Sequence, residues 1–144
     1  MTYAIDANTL LFAADRASSM HAVARDLVRR VIEGPELVYV FWPVLMAYVR
    51  VSTSPAIFAN PLTPEEAVTD VETLLGSPYV RTGAEAANFW NEFRAAVRGV
   101  PLRGNIVPDA HIAGLMRQHG VSTIYTHDRD FRKFEGIRVI DPFV

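Results

Sequence analysis

Apolar residues along the chain alternate between short unbroken runs and runs spaced for helices. Tyr3-Ala4-Ile5 is a short apolar run ending at Asp6 and predicts a buried strand. Asp6-Ala7-Asn8-Thr9 then supplies capping residues ahead of Leu10, Leu11 and Phe12, so a helix is expected there. From Ser18-Ser19 onward, Met20, Val23, Ala24, Leu27, Val28 and Val31 recur at helical spacing, with charged residues between them, until Gly34-Pro35 stops the pattern. Leu37 to Phe41 is continuously apolar and partly β-branched, as in a strand covered on both faces. Pro43 opens a helix through about Val51.

Thr63-Pro64-Glu65-Glu66 is a capping box that starts another helix, and Gly76 ends it. Tyr79-Val80 predicts a short strand, and Ala86, Phe89, Trp90, Phe93 and Val97 an amphipathic helix closing near Gly99. Pro108 to His119 is the next helix, Ser122 to Tyr125 a strand and Arg138 to Ile140 the last strand. Helices alternate with strands throughout. The expected class is therefore α/β, a three-layer α/β/α arrangement around a mainly parallel sheet of four or five strands. With 144 residues and no linker or repeat, the chain is expected to be one domain spanning 1–144.

Composition narrows the chemistry. There is no cysteine, which excludes a disulfide framework, a thiolate nucleophile and a zinc finger. Any metal site must use oxygen or imidazole ligands. No apolar run reaches the roughly 20 residues of a membrane span, and no basic signal segment precedes Asp6, so the cytoplasm is the expected location. The net charge of −2 by itself argues against a nucleic-acid binder. Lys133 is the only lysine, however, and arginine, suited to bidentate phosphate contacts, supplies the other thirteen of the fourteen basic residues, a bias that a GC-rich genome explains better when composition is taken by itself.

In open α/β sheets, sites form beyond the carboxyl ends of the strands. Asp6 ends the first strand, Asp128 follows the Ser122–Tyr125 strand, Asp130 comes two residues later, and Asp109 sits in the first turn of the helix after Ile106-Val107. Each acid alone is explained as a cap or turn residue. Four carboxylates gathered at one sheet edge repel one another and are tolerated when a hard cation neutralises them. Oxygen-only ligands point to Mg²⁺, with Mn²⁺ as the alternative. Such a site suits phosphoester hydrolysis by an activated water.

These residues are also similar to the motifs of a known family. Ile5-Asp6-Ala7-Asn8-Thr9-Leu10-Leu11 resembles the opening of a PIN domain, Val107-Pro108-Asp109-Ala110-His111-Ile112-Ala113 its later acidic helix, and Thr126-His127-Asp128-Arg129-Asp130-Phe131 its final acidic motif. Trp42 to Thr53 resembles the second motif of VapC-type toxins, the ribonuclease half of VapBC toxin–antitoxin pairs. The resemblance covers nearly the whole chain in order. It implies a metal-dependent endoribonuclease acting on structured RNA such as tRNA or rRNA, with Asp6, Asp109, Asp128 and Asp130 as metal-holding catalytic acids. It also implies a homodimer and a groove for a VapB-type antitoxin, although core packing explains the same apolar stripes. The second motif departs from the family: its usual Glu falls on Ala47. A catalytically weakened PIN module that works by binding antitoxin or RNA is the alternative.

Around the acids, Asn8 is expected to cap the first helix or to hydrogen-bond Asp6 and a metal-bound water, the Thr126 hydroxyl to reach the metal cluster, and Arg50, Arg129, Arg132 and Lys133 to bind RNA phosphates. His111 and His127 are set aside as bases, His111 because two positions from Asp109 puts it on another helix face. Arg94, Arg98 and Arg103 read as a solvated face, and Trp42 and Trp90 as core. A phosphotransfer domain using Asp6 as nucleophile is disfavoured because no lysine ends a strand.

Overall fold

The computed structural model describes all of residues 1–144. Five strands form one sheet: β1 (Tyr3–Ile5), β2 (Val38–Tyr39), β3 (Val80–Arg81), β4 (Thr123–Tyr125) and β5 (Arg138–Ile140). Six α-helices connect and cover them: α1 (Ala7–Ala14), α2 (His21–Glu33), α3 (Trp42–Ser52), α4 (Pro64–Leu75), α5 (Phe89–Ala96) and α6 (Ile106–Gln118). A 3-10 helix, Arg129–Lys133, lies between β4 and β5, where the sequence shows only a charged turn.

Every strand pair is parallel, in the order β3-β2-β1-β4-β5. Parallel neighbours need crossover connections, which is why each long link carries a helix. The three-layer α/β expectation therefore holds, and the sheet is wholly parallel. From β1 the chain winds outward to β2 and β3, then returns to the other side of β1 for β4 and β5. The winding direction reverses between β1 and β4, and in sheets of this kind that reversal opens a crevice at the carboxyl ends of the two strands.

The elements fall where the pattern placed them, with shifted ends. Only Val38–Tyr39 of the Leu37–Phe41 run forms a ladder strand, but Val38, Val40 and Phe41 are all fully buried. The Thr63 capping box is present: Thr63 Oγ1 accepts from the Glu66 N–H at 3.1 Å, and Glu66 accepts the Thr63 N–H at 2.9 Å. Helix α6 begins at Ile106, two residues before Pro108. Proline is tolerated there because first-turn N–H groups have no helical partner to lose.

The core is built from both faces of the sheet and the helix stripes over it, including Ile5, Leu27, Val31, Leu45, Leu115 and Ile124. At roughly 25 cal/mol per Å² of apolar surface removed from water, such burial is the main force holding the sheet centre, and so the site at its edge, in place. No helix is long and apolar enough to cross a membrane.

Candidate metal centre at the sheet edge

The register of β1 and β4 sets the site. Ile5 lies opposite Tyr125, so Asp6 and Thr126 leave the sheet side by side. Asp6 is 6% exposed and caps α1: its Oδ1 accepts the Thr9 N–H and the Thr9 hydroxyl, each at 3.2 Å. Its Oδ2 accepts the hydroxyl of the fully buried Thr126. That same hydroxyl oxygen accepts the Asp128 N–H at 2.9 Å. Asp128 in turn caps the 3-10 helix by accepting the Asp130 N–H at 2.9 Å. A single thread of hydrogen bonds thus runs from Asp6 through Thr126 and Asp128 to Asp130.

Helix α6 brings the remaining acid. Carboxylate oxygens of Asp109, Asp128 and Asp130 all lie within 4.8 Å of one another. Asp6, Asp109 and Asp128 share a cleft of about 360 Å³ whose walls include Asn8, Ala47 and His111. The electrostatics show how crowded this is. Burial, then the charges of Asp128, Asp130 and Asp6, push the Asp109 carboxyl up to about 7, with Lys133 pulling the other way. Burial also raises Asp6, against the Thr126 and Thr9 hydrogen bonds that favour its charged form.

A divalent cation fits this donor set. The donors are all carboxylate oxygens, the choice of a hard cation such as Mg²⁺ or Mn²⁺. The one salt bridge that the four acids make is between Asp130 Oδ1 and Lys133 Nζ, at 3.1 Å.

The other expected residues fall as follows. Asn8 lines the cleft but does not bond Asp6, whose partners are Thr9 and Thr126. Asp6 itself is the cap, which places Asn8 inside the first turn. Thr126 does bond Asp6. Asp130 sits half exposed at the rim, held by Lys133. That ion pair occupies the lysine expected to meet RNA. Arg50, Arg129 and Arg132 are exposed, and none lines the cleft. Ala47 lines it, at the position where the family's Glu was expected, so the wall has a methyl in place of a carboxylate.

Two further expectations fail. His111 shares the cleft with Asp109 despite the two-residue spacing, because the cleft wraps around the first turns of α6. Its Nε2 lies 2.6 Å from Glu85, on a loop pinned to α6 by Gln118, which accepts the Ala86 N–H and donates to the Ala84 carbonyl. Nothing in the sequence pattern foretells Glu85, since only tertiary folding brings that loop to α6. Trp42 and Trp90 are not core: they are 41% and 62% exposed. His127, by contrast, does not line the cleft, and its Nδ1–H donates to Asp141 at 2.8 Å.

A second groove lies between α1, α2 and α4, lined by Leu10, Ala14, Val28, Ile32 and Leu74 together with Arg25 and Asp70. Tyr48 of α3 donates to Asp70 there at 2.6 Å. The Met20–Val31 stripe is divided: Ala24, Leu27 and Val31 are core, whereas Val23 and, on α3, Met46 face solvent.

With this geometry in view, comparisons with known proteins agree. The PIN-domain family profile matches residues 3–137. Ribonuclease VapC48 of Mycobacterium tuberculosis is 50% identical over 143 residues, covering 99% of both chains. The crystal structure of Mycobacterium tuberculosis VapC20, described as a sarcin–ricin loop cleaving toxin, superposes with a TM-score of 0.65 at 20% identity, over 96% of this chain and 99% of that one. The structure of VapBC2 from Rickettsia felis, bound to a DNA fragment from its promoter, gives a TM-score of 0.69 at 14% identity, over 97% and 98%. Those two structures are similar in fold.

Proposed function

The chain belongs to the PIN-domain family, to its VapC-type ribonucleases, and from that premise we propose that it is the Mg²⁺-dependent endoribonuclease toxin of a type II toxin–antitoxin pair, acting in the cytoplasm on structured RNA such as tRNA or rRNA. The observation that carries the proposal is the meeting of Asp109, Asp128 and Asp130 within 4.8 Å, beside buried Asp6, where the sheet reverses its winding.

Asp6, Asp109, Asp128 and Asp130 would hold the cation. When bound there, a divalent cation supplies a polarised water and neutralises negative charge on the scissile phosphate. The protein's own contribution is placement. Thr126 fixes Asp6 and the Asp128 backbone together, so two acids on separate strands keep one spacing. The cleft walls, Pro43, Val44 and Ala47 on one side and Val107 and Pro108 on the other, limit the water around the acids. Arg50, Arg129 and Arg132, unpaired with carboxylates, draw the phosphate backbone toward the rim.

The apolar groove between α1, α2 and α4 supports docking of a VapB-type antitoxin, and exposed Val23 and Met46 support a homodimer. Incubation of the purified protein with total RNA tests the nuclease reading. Cleavage with Mg²⁺, leaving 5′-phosphate ends and lost in EDTA and in Asp6→Asn, is expected. Cleavage that survives both overturns it.

The methyl of Ala47 in the cleft wall favours a second reading, a weakened nuclease that acts mainly by binding antitoxin or RNA. Under it, wild-type cleavage is slow and Ala47→Glu raises it steeply.

A further inference from the structure

We infer that the outer face of α5 is an RNA-docking surface, on which Trp90 stacks an unpaired base while Arg94 and Arg98 hold the phosphates beside it. The inference rests on the ribonuclease reading and adds a place where the substrate is gripped outside the cleft.

Four observations carry it. Trp90 is 62% exposed, the most exposed aromatic side chain of the molecule. Its indole is braced by stacking on Phe93, with ring centroids 5.3 Å apart and 20° between planes, so the platform is held in one orientation. Arg94 and Arg98 line the same shallow hollow as Trp90. Neither pairs with a carboxylate: the only acid of α5, Glu92, is taken by Arg117 at 3.0 Å. From Asn88 to Asn105 the chain carries three arginines against that one acid, in a protein whose net charge is −2.

The chemistry of an aromatic face beside free guanidinium groups is that of single-stranded nucleic-acid binding, since every base has a face to stack and every nucleotide a phosphate. The helix that carries this surface also packs against the cleft wall. Phe89, the residue before Trp90, packs its ring against His111 at 5.5 Å, and His111 lines the cleft wall. On this inference, an RNA strand with its scissile phosphate at the acids runs along the His111 side of the cleft toward Trp90.

The test is fluorescence anisotropy of labelled total tRNA and of a labelled RNA hairpin with a single-stranded loop in EDTA, which reads binding apart from cleavage, alongside steady-state cleavage of the same RNAs in Mg²⁺. Trp90→Ala is expected to weaken binding roughly 10- to 100-fold, with Trp90→Phe retaining most of the affinity. Arg94→Gln and Arg98→Gln should each flatten the slope of log affinity against log salt by about 0.7. In cleavage, these variants should raise KM and leave kcat unchanged. Unaltered affinity in Trp90→Ala and Arg94→Gln, or no RNA binding by the wild type in EDTA, overturns the inference. So does a wild-type dimer that Trp90→Ala converts to monomer without loss of RNA affinity, which would give this face to a second copy of the chain. If RNA binds through Trp90 but is never cut, the ribonuclease reading fails and the docking surface stands; if RNA is cut and Trp90 is indifferent, the reverse holds.

Discussion

Thr126 and Asp6 face each other across the seam between β1 and β4, the threonine hydroxyl donating to the carboxylate while its oxygen accepts the Asp128 N–H at 2.9 Å. Because a hydroxyl has one proton and two lone pairs, one buried side chain serves both acids at once. The pairing exists because Ile5 and Tyr125 are in register one residue earlier.

Thr126→Val keeps the volume and removes both bonds. It is expected to cost about 1–3 kcal/mol in urea unfolding, since the Asp128 N–H is left unpaired. It should also weaken Mg²⁺ binding on the order of 10- to 100-fold in calorimetry. Thr126→Ser, which retains the hydroxyl, should recover most of both. Equal behaviour of the valine and serine variants would detach Thr126 from the site.

Stability should depend on pH in a direction set by the acids. Asp109 has a folded value of about 7 against 3.8 unfolded. Between those values the folded chain keeps a proton that the unfolded chain releases, so this group's contribution to stability falls as pH rises through that window. Asp6 is shifted in the same direction. In EDTA, Tm should therefore drop from about pH 5 to about pH 8 more steeply in the wild type than in Asp109→Asn. Mg²⁺ should restore more at the higher pH, where the carboxylates are ionised. A wild-type and Asp109→Asn pair with parallel profiles would contradict the crowding at Asp109.

Ala47→Glu places another carboxylate on the α3 wall of the cleft. In EDTA it should lower Tm, because it adds to an uncompensated negative cluster. In Mg²⁺ it should tighten metal binding roughly tenfold. A variant that changes neither quantity would mean that residue 47 does not reach the acids.

The loop carrying Asp128 is also tied to the C-terminal segment. Asp141 accepts the His127 Nδ1–H at 2.8 Å and the Phe143 N–H at 2.9 Å, and Phe12 and Phe143 pack edge-on against the His127 ring. Asp141→Ala is expected to destabilise by about 1–3 kcal/mol in chemical unfolding. Faster hydrogen exchange should be confined to residues 126–130. Exchange spread evenly over the sheet would instead mean a general loss of packing.

Much of this was legible in the sequence, for a physical reason. Asp6 and Asp128 follow short apolar runs, and a buried strand followed by an acid is a local pattern that fixes which sheet edge the acid occupies. The Thr63 capping box is equally local, and its bonds form as its spacing dictates. Asp109 needed one further step, that the helix after Ile106-Val107 points its first turn at the same edge. What lay beyond reach depends on contacts between distant segments. Lys133 pairs with Asp130 because residues 129–133 wind into a 3-10 helix, which no periodicity announces. Glu85 meets His111 only after the loop before α5 folds back on α6. Trp90 has the spacing of a core residue, yet α5 buries Phe93 and Ala96 against its neighbours and turns the indole outward.

The central claim is that four acids grip one kind of ion, and titration calorimetry with Mn²⁺ on the wild type, Asp109→Asn and Asp128→Asn tests it most directly. Saturable binding to the wild type, weakened at least tenfold in each variant in parallel with loss of RNA cleavage, is the predicted result. Binding that is absent, or unchanged by either substitution while RNA is still cut, would contradict it.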